Sequence, residues 1–141
     1  MQKPVVFLAE DSRADILLVR EALEKYQVPY DLRVARDGGE AQDYVAHMGV
    51  ANGCPCPDVI PLDLNLPRAD GIAILTGFRK HPQCARTPAI VISSSDAPKD
   101  RKSVQAPGGA HYFRKPSDLD AFLQLGAVVL QVMAECTTAS D

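Results

Sequence analysis

At 141 residues the chain has the length of one compact domain able to bury a core without staples, and 46% apolar with 23% charged residues excludes disorder and membrane spanning as starting points. Eighteen acidic against fifteen basic residues leave a net charge of -3. With no basic stripe, that balance gives no footing for a nucleic-acid-binding module.

The sequence begins M-Q-K-P-V-V-F-L-A-E-D, apolar for only five residues before two acids. That is too short for a signal peptide, so the cytoplasm is the expected compartment. Val5 to Ala9 reads as a first strand, apolar throughout and so expected to be covered by helices on both faces. It stops at Glu10 and Asp11. Ser12 then precedes a helix, with Asp15 three residues on in a capping-box arrangement, and Ile16, Leu17, Val19 and Leu23 recur at roughly helical spacing as far as Tyr26.

Pro29 breaks the chain, and Leu32 and Val34 alternate with Arg33 in a second strand that ends at Asp37-Gly38-Gly39. A second helix follows over about Glu40 to Met48. Gly49 to Pro57 reads as a loop. Val59, Ile60, Leu62 and Leu64 then form a short apolar run suited to a buried third strand, with Asp63 where the strand gives out. Pro61 lacks the N–H that a central strand would donate, which normally demotes such a run to an edge or a bulge; the flanking pattern still favours a strand. After Pro67, Asp70-Gly71 opens a third helix through Ile74, Leu75 and Phe78 that ends near His81-Pro82.

Pro88 to Ser95 supplies a fourth strand ending in three serines. Asp96 to Ala106 suits a helix with few apolar residues, Pro98 being acceptable only in its first turn. Pro107-Gly108-Gly109 stops it, His111 to Arg114 makes a fifth strand, and Lys115-Pro116 follows. Ser117 or Asp118 caps a last helix carrying Leu119, Phe122, Leu123, Leu125, Val129, Leu130 and Met133. Five alternations of strand and helix imply an α/β fold with a parallel sheet and right-handed crossovers, as a single domain over residues 1–141.

Cys54, Cys56, Cys84 and Cys136 are few and irregularly spaced. Cys54 and Cys56 form a C-x-C rather than the C-x-x-C of zinc sites, with no second pair at a suitable distance. Reduced thiols are therefore expected, not a metal site or a disulfide.

In an open parallel sheet, ligands bind outside the carboxyl ends of the strands. Those ends carry Glu10 and Asp11, Asp63, Ser93 and Lys115. Three carboxylates brought together raise one another's pKa unless a cation neutralises them, and oxygen ligands that leave room for water and phosphate suit Mg2+. Lys115 can hold Asp63 ionised and meet a phosphoryl oxygen, and Ser93 offers that oxygen a hydroxyl. The set makes Asp63 a nucleophile toward a phosphoryl group, giving an acyl phosphate. Each residue alone has a plainer explanation: helix-start acids, a loop serine, a solvated lysine. Their coincidence at four strand ends is what favours chemistry.

The segments F-L-A-E-D-S, D-L-N-L-P-R-A-D-G, I-V-I-S-S-S and Y-F-R-K-P, in that order and over nearly the whole chain, resemble the receiver domain of two-component response regulators. The resemblance implies a flavodoxin-like, doubly wound five-stranded sheet of order 2-1-3-4-5, the CheY-like fold. It implies Asp63 as phosphoacceptor, Glu10 and Asp11 with the Asn65 backbone carbonyl at Mg2+, Ser93 as switch hydroxyl, Tyr112 as switch aromatic, and Lys115 as phosphate partner followed by a cis bond to Pro116. Slow autodephosphorylation is the only turnover it implies.

More narrowly, A-E-D-S-x-A-D and the Gly49 to Pro57 insert resemble stand-alone regulators paired with phytochrome-type histidine kinases, which makes a sensor histidine kinase such as a bacteriophytochrome the implied partner. That group often dimerises through the fourth helix, fifth strand and fifth helix, and Val128, Val129, Val132 and Met133 give the last helix more apolar surface than one buried stripe needs. Pro61 and Pro107 depart from the family pattern, near the site and the switch face respectively. With no output domain expected after the last helix, the signal would leave by protein contact.

Two rival readings differ in class. One is a receiver-like protein-binding module that works without phosphorylation, against which the complete residue set speaks. The other is an aspartate-nucleophile phosphatase. Such enzymes place a second acid two residues after the nucleophile, where this chain has Asn65.

Overall fold

The computed structural model describes residues 3–50, 53–64, 66, 71–93 and 111–139. Its strands are β1 (Val5–Ala9), β2 (Asp31–Ala35), β3 (Ile60–Asp63), β4 (Ala89–Ser93) and β5 (His111–Arg114), all parallel in the order β2-β1-β3-β4-β5. The helices are α1 (Arg13–Lys25), α2 (Gly38–Ala46), α3 (Gly71–Arg79), α4 (Leu119–Leu123) and α5 (Leu125–Ala139). The expected helix over 96–106, with Pro98 and Pro107, lies outside the described residues, as do Asn65, Ser94 and Ser95.

The sheet buries both faces, as the continuous apolar strands require. On one face Val6, Leu8, Val59, Ile90 and Ile92 meet Val19, Ala22 and Leu23 of α1, Phe122 of α4, and Leu125, Val129 and Val132 of α5. On the other, Phe7, Ala9, Ile60, Leu62 and Ala89 meet Ala41 of α2 and Ile74, Leu75 and Phe78 of α3. The side-chain period of two along each strand divides the residues this way. An aromatic cluster sits within the second layer, with the Phe7 ring 4.6 Å from Tyr44 and 5.1 Å from Phe78.

Several local outcomes differ from the sequence reading, each for a physical reason. Helix α2 starts two residues early because Asp37 takes the N-cap, its side chain accepting from Glu40 N at 2.9 Å. The last helix is two: α4, capped by Asp118, gives way at Gln124 to α5. Just past that break, Gly126 lies so close to α1 that an added Cβ would overlap the Ala22 carbonyl. Pro61 stands inside a central strand, not at an edge. Its partner on the β4 side is Ile90, but on the β1 side the pairing is reduced to Ala9 with Leu62 and an isolated bridge between Val6 and Val59. The ladder is interrupted where the proline has no N–H to donate.

The expected surplus of apolar surface on the last helix is not found at the four residues named for it. Val129 and Val132 are buried, and Val128 and Met133 pack partly buried against the same core. The expectation of reduced thiols is also overturned for two cysteines. Cys56, in the loop before β3, and Cys84, in a 3-10 turn after α3, form a disulfide with their Cα atoms 6.0 Å apart, a spacing that disulfides commonly span. Residues 28 apart in sequence meet because β3 and the return from α3 enter the sheet side by side. Cys54 is free.

Candidate functional site

The sheet order places the crevice between β1 and β3, where the chain reverses its direction of travel across the sheet. Glu10 follows β1, with its N–H donating to the Ala35 carbonyl at 3.0 Å, and Asp63 is the last residue of β3. Both are buried, whereas Asp11 is exposed. Glu10, Asp11 and Asp63 each present a carboxylate oxygen within 4.8 Å of the other two. Ser93 ends β4 and is buried; its carbonyl accepts from Lys115 N at 2.7 Å, which carries the chain from β5 back over the crevice.

Lys115 is the hub. Its Nζ donates to Asp15 Oδ2 at 2.7 Å, to Asp63 Oδ2 at 2.8 Å and to Glu10 Oε2 at 3.2 Å, using all three ammonium donors. Burial works against its charge, but the hydrogen bonds to Asp15 and Asp63 and the charges of Asp63 and Glu10 hold its pKa above the ordinary lysine value. One cation does not balance the acids around it. Glu10 is pushed up to about 8, first by burial and then by its hydrogen bond with Asp63 and that residue's charge; the Ser12 N–H and Lys115 oppose the shift.

That surplus of negative charge tests whether a metal fits. The donors are oxygen only, two buried and one exposed, with the Glu10 carboxyl pushed toward neutrality by burial and by the neighbouring Asp63. A hard divalent cation supplies what is missing, so the residues fit Mg2+ or Mn2+. Asn65, given a carbonyl ligand's role by the resemblance, lies outside the described residues.

Asp15 is the residue sequence reasoning assigned differently. Half of the expected capping box is present, Ser12 Oγ accepting from Asp15 N at 3.2 Å. The reciprocal half is absent: Ser12 N donates to Glu10 Oε1 at 3.1 Å, and the Asp15 carboxylate turns to Lys115. No local signal gave this away, because Asp11 precedes the N-cap and shares no helical face with Asp15, and Lys115 is 100 residues distant in sequence. Among the described residues no peptide bond is cis, so the Lys115–Pro116 bond is trans, correcting the cis bond implied by the resemblance; trans is the isomer that X–Pro bonds ordinarily favour. Tyr112 sits half-buried in β5 opposite Val91.

Residues 6–126 match the family model of the response regulator receiver domain. The chain is 37% identical over 91 residues to the response regulator Rcp1 of Synechocystis sp., a match covering 64% of this chain and 62% of that protein. It is similar in structure to the phosphorylated cyanobacterial phytochrome response regulator RcpA, with a TM-score of 0.80 and 32% identity over 94% of this chain and 95% of the other. The Mn(2+)-bound form of Rcp1 superposes with a TM-score of 0.74 and 32% identity, covering 89% of this chain and 91% of that one.

Proposed function

The chain belongs to the response regulator receiver family, and from that premise we propose that it accepts a phosphoryl group on Asp63 from a sensor histidine kinase, in the presence of Mg2+. The observation that carries this reading is the contact of Lys115 Nζ with Asp63 Oδ2 at 2.8 Å, within a cluster of three carboxylates that this one cation does not balance. Asp63 is the nucleophile. Lys115 keeps it ionised and then donates to a phosphoryl oxygen, in the manner that phosphoryl transfer asks of a protein. Bound to Glu10, Asp11, Asp63 and the Asn65 carbonyl, Mg2+ would neutralise charge on the transferring oxygens.

Ser93 at the end of β4 is the hydroxyl we assign to sensing the phosphoryl group, with Tyr112 in β5 following it. The likeness to RcpA over 94% of this chain supports a phytochrome-type kinase, such as a bacteriophytochrome, as the phosphoryl source. The chain then acts as a cytoplasmic regulator that signals by protein contact, loses its phosphate slowly by its own hydrolysis, and pairs with a second copy through the face containing β5 and the last helix. Leu130, 38% exposed on α5, is an apolar side chain available there.

Intact-mass spectrometry after incubation with acetyl phosphate and MgCl2 tests the proposal. One phosphoryl group is expected on the wild-type chain and none on Asp63→Asn. Addition to neither protein overturns it in favour of a phosphorylation-independent binding module, and rapid turnover of an added phosphate monoester overturns it in favour of a phosphatase. Light scattering on the same samples reports whether phosphate changes assembly.

A further inference from the structure

The contacts around Lys115 form a ring that closes without the phosphoacceptor. Glu10 Oε1 accepts from Ser12 N at 3.1 Å, Ser12 Oγ accepts from Asp15 N at 3.2 Å, and Lys115 Nζ joins the two ends through Asp15 Oδ2 at 2.7 Å and Glu10 Oε2 at 3.2 Å. Asp63 takes the third ammonium donor and is no link of the ring itself. From this geometry we propose that Asp15 is a positioning residue for phosphoryl transfer, anchoring the Lys115 ammonium to α1 so that it stays in place while its partner at Asp63 changes from a carboxylate to an acyl phosphate. The inference rests on the functional reading above and deepens it.

The reason such an anchor matters is the change in hydrogen bonding at Asp63. As a carboxylate, Asp63 offers Lys115 a charged acceptor; once one of its oxygens is bonded to phosphorus as an acyl phosphate, that acceptor is weakened and the phosphoryl oxygens must take the freed donor. A lysine side chain has four flexible torsions and no preferred fork, so its ammonium must be held by other contacts if it is to point at one place. Glu10 is a poor sole anchor because its carboxyl is already crowded by Asp63 and shared with the Ser12 N–H. Asp15 is neither in the three-carboxylate cluster nor on a strand end, and it makes the shortest of the three contacts. Its backbone is itself set by the Ser12 cap, so the anchor belongs to a rigid helix. The side chain is 26% exposed, against 2% for Asp63 and 3% for Glu10, so the anchor sits at the rim of the crevice and leaves its floor to the phosphoacceptor.

Asp15→Ala and Asp15→Asn, compared with wild type at saturating MgCl2, provide the test. Asparagine keeps an acceptor oxygen at nearly the same place and loses the charge, so a positioning role is rescued by Asp15→Asn and a purely electrostatic one is not. We expect Asp15→Ala to slow phosphorylation by acetyl phosphate by roughly tenfold or more, the scale of loss from a misplaced group, with Asp15→Asn restoring most of it. The 15N-edited NMR signal of the Lys115 ammonium, observable only when that group is held and protected from exchange, should vanish in Asp15→Ala and persist in Asp15→Asn. An unchanged rate in Asp15→Ala, or equal acceleration in both variants, overturns the inference, the second because it makes Asp15 a competitor of the phosphoryl group. If the wild-type chain takes up no phosphoryl group, the functional reading fails instead. The ammonium signal then still decides whether Asp15 anchors Lys115.

Discussion

Lys115 Nζ lies 2.8 Å from Asp63 Oδ2, although the strands that deliver them, β5 and β3, are separated in the sheet by β4. The contact spans that gap because Lys115 comes just after β5 ends, where the chain is free to cross the carboxyl edge, and the long side chain reaches the rest of the way. The same ammonium is ion-paired with Glu10, Asp15 and Asp63 at once. Replacing it with an apolar side chain, as in Lys115→Met, strands two buried carboxylates. We expect a loss of about 3–5 kcal/mol at pH 8, the range for breaking a buried pair from one side. Urea unfolding should show that the loss grows as pH rises through 8, where Glu10 gives up its proton, and that MgCl2 recovers part of it.

The position of Glu10 makes stability depend on pH in the opposite sense to most carboxylates. Its pKa rises on folding from 4.5 to about 8, so between those values the folded chain binds the proton that the unfolded chain has released. Stability contributed by this group is therefore present below pH 4.5 and lost as pH rises through 8. One proton held by the folded chain alone costs about 1.4 kcal/mol of stability for every pH unit climbed, which caps the slope inside the window. Metal-free protein should show a falling midpoint in thermal melts between pH 5 and pH 8. Glu10→Gln should flatten that trend, and MgCl2, which favours the ionised carboxylate, should oppose it.

Gly126 permits the close approach of α5 to α1. A Cβ there would overlap the Ala22 carbonyl and come within 2.7 Å of the Tyr26 ring. Backbone cannot yield as a side-chain tip can, so Gly126→Ala should destabilise the fold by about 1–3 kcal/mol, the usual cost of overpacking. The Tyr26 hydroxyl contact to Gln124 at 2.9 Å should be lost with it. Chemical denaturation of this single variant checks the expectation.

Pro61 leaves the ladder between β1 and β3 interrupted. Pro61→Val fits the buried strand, restores a donor and gains about 1 kcal/mol from one hydrogen bond, offset by about 0.4–1 kcal/mol of added freedom in the unfolded chain. The net effect on stability should be small. The informative measurement is hydrogen exchange, which should find a protected amide at position 61; rapid exchange there would show that the strands do not close on each other.

The Cys56–Cys84 disulfide closes a loop of 28 residues in sequence. Loop-closure entropy for that length corresponds to roughly 3.5 kcal/mol of stabilisation. Oxidised protein should therefore melt higher than the same protein in excess reductant, and Cys84→Ser should melt like the reduced form. A reducing cytoplasm favours the dithiol, so thiol trapping in cell extract reports which form operates there.

Much of the fold was legible because its signals are local. The runs 5–9 and 111–114 coincide with β1 and β5, and the Ser12 and Asp118 caps mark the helix starts. Where a second local signal competed, boundaries moved: Asp37 took the cap that places α2 before Glu40. Glu10, Asp11, Asp63 and Lys115 were identifiable as a set because strand ends in a parallel sheet share one edge, and the structure brings those four groups together there.

The sequence by itself determined the order of strands and helices and which chemical groups stand at the carboxyl edge, since periodicity and Pro/Gly punctuation act over a few residues. Only the tertiary structure decided what those groups touch. Asp15, which reads as a helix cap, finds Lys115 at a separation of 100 residues; Cys56 finds Cys84; and Pro61 occupies a central strand because the neighbouring pairings carry it. Each outcome depends on distances across the folded chain, and no local pattern encodes them.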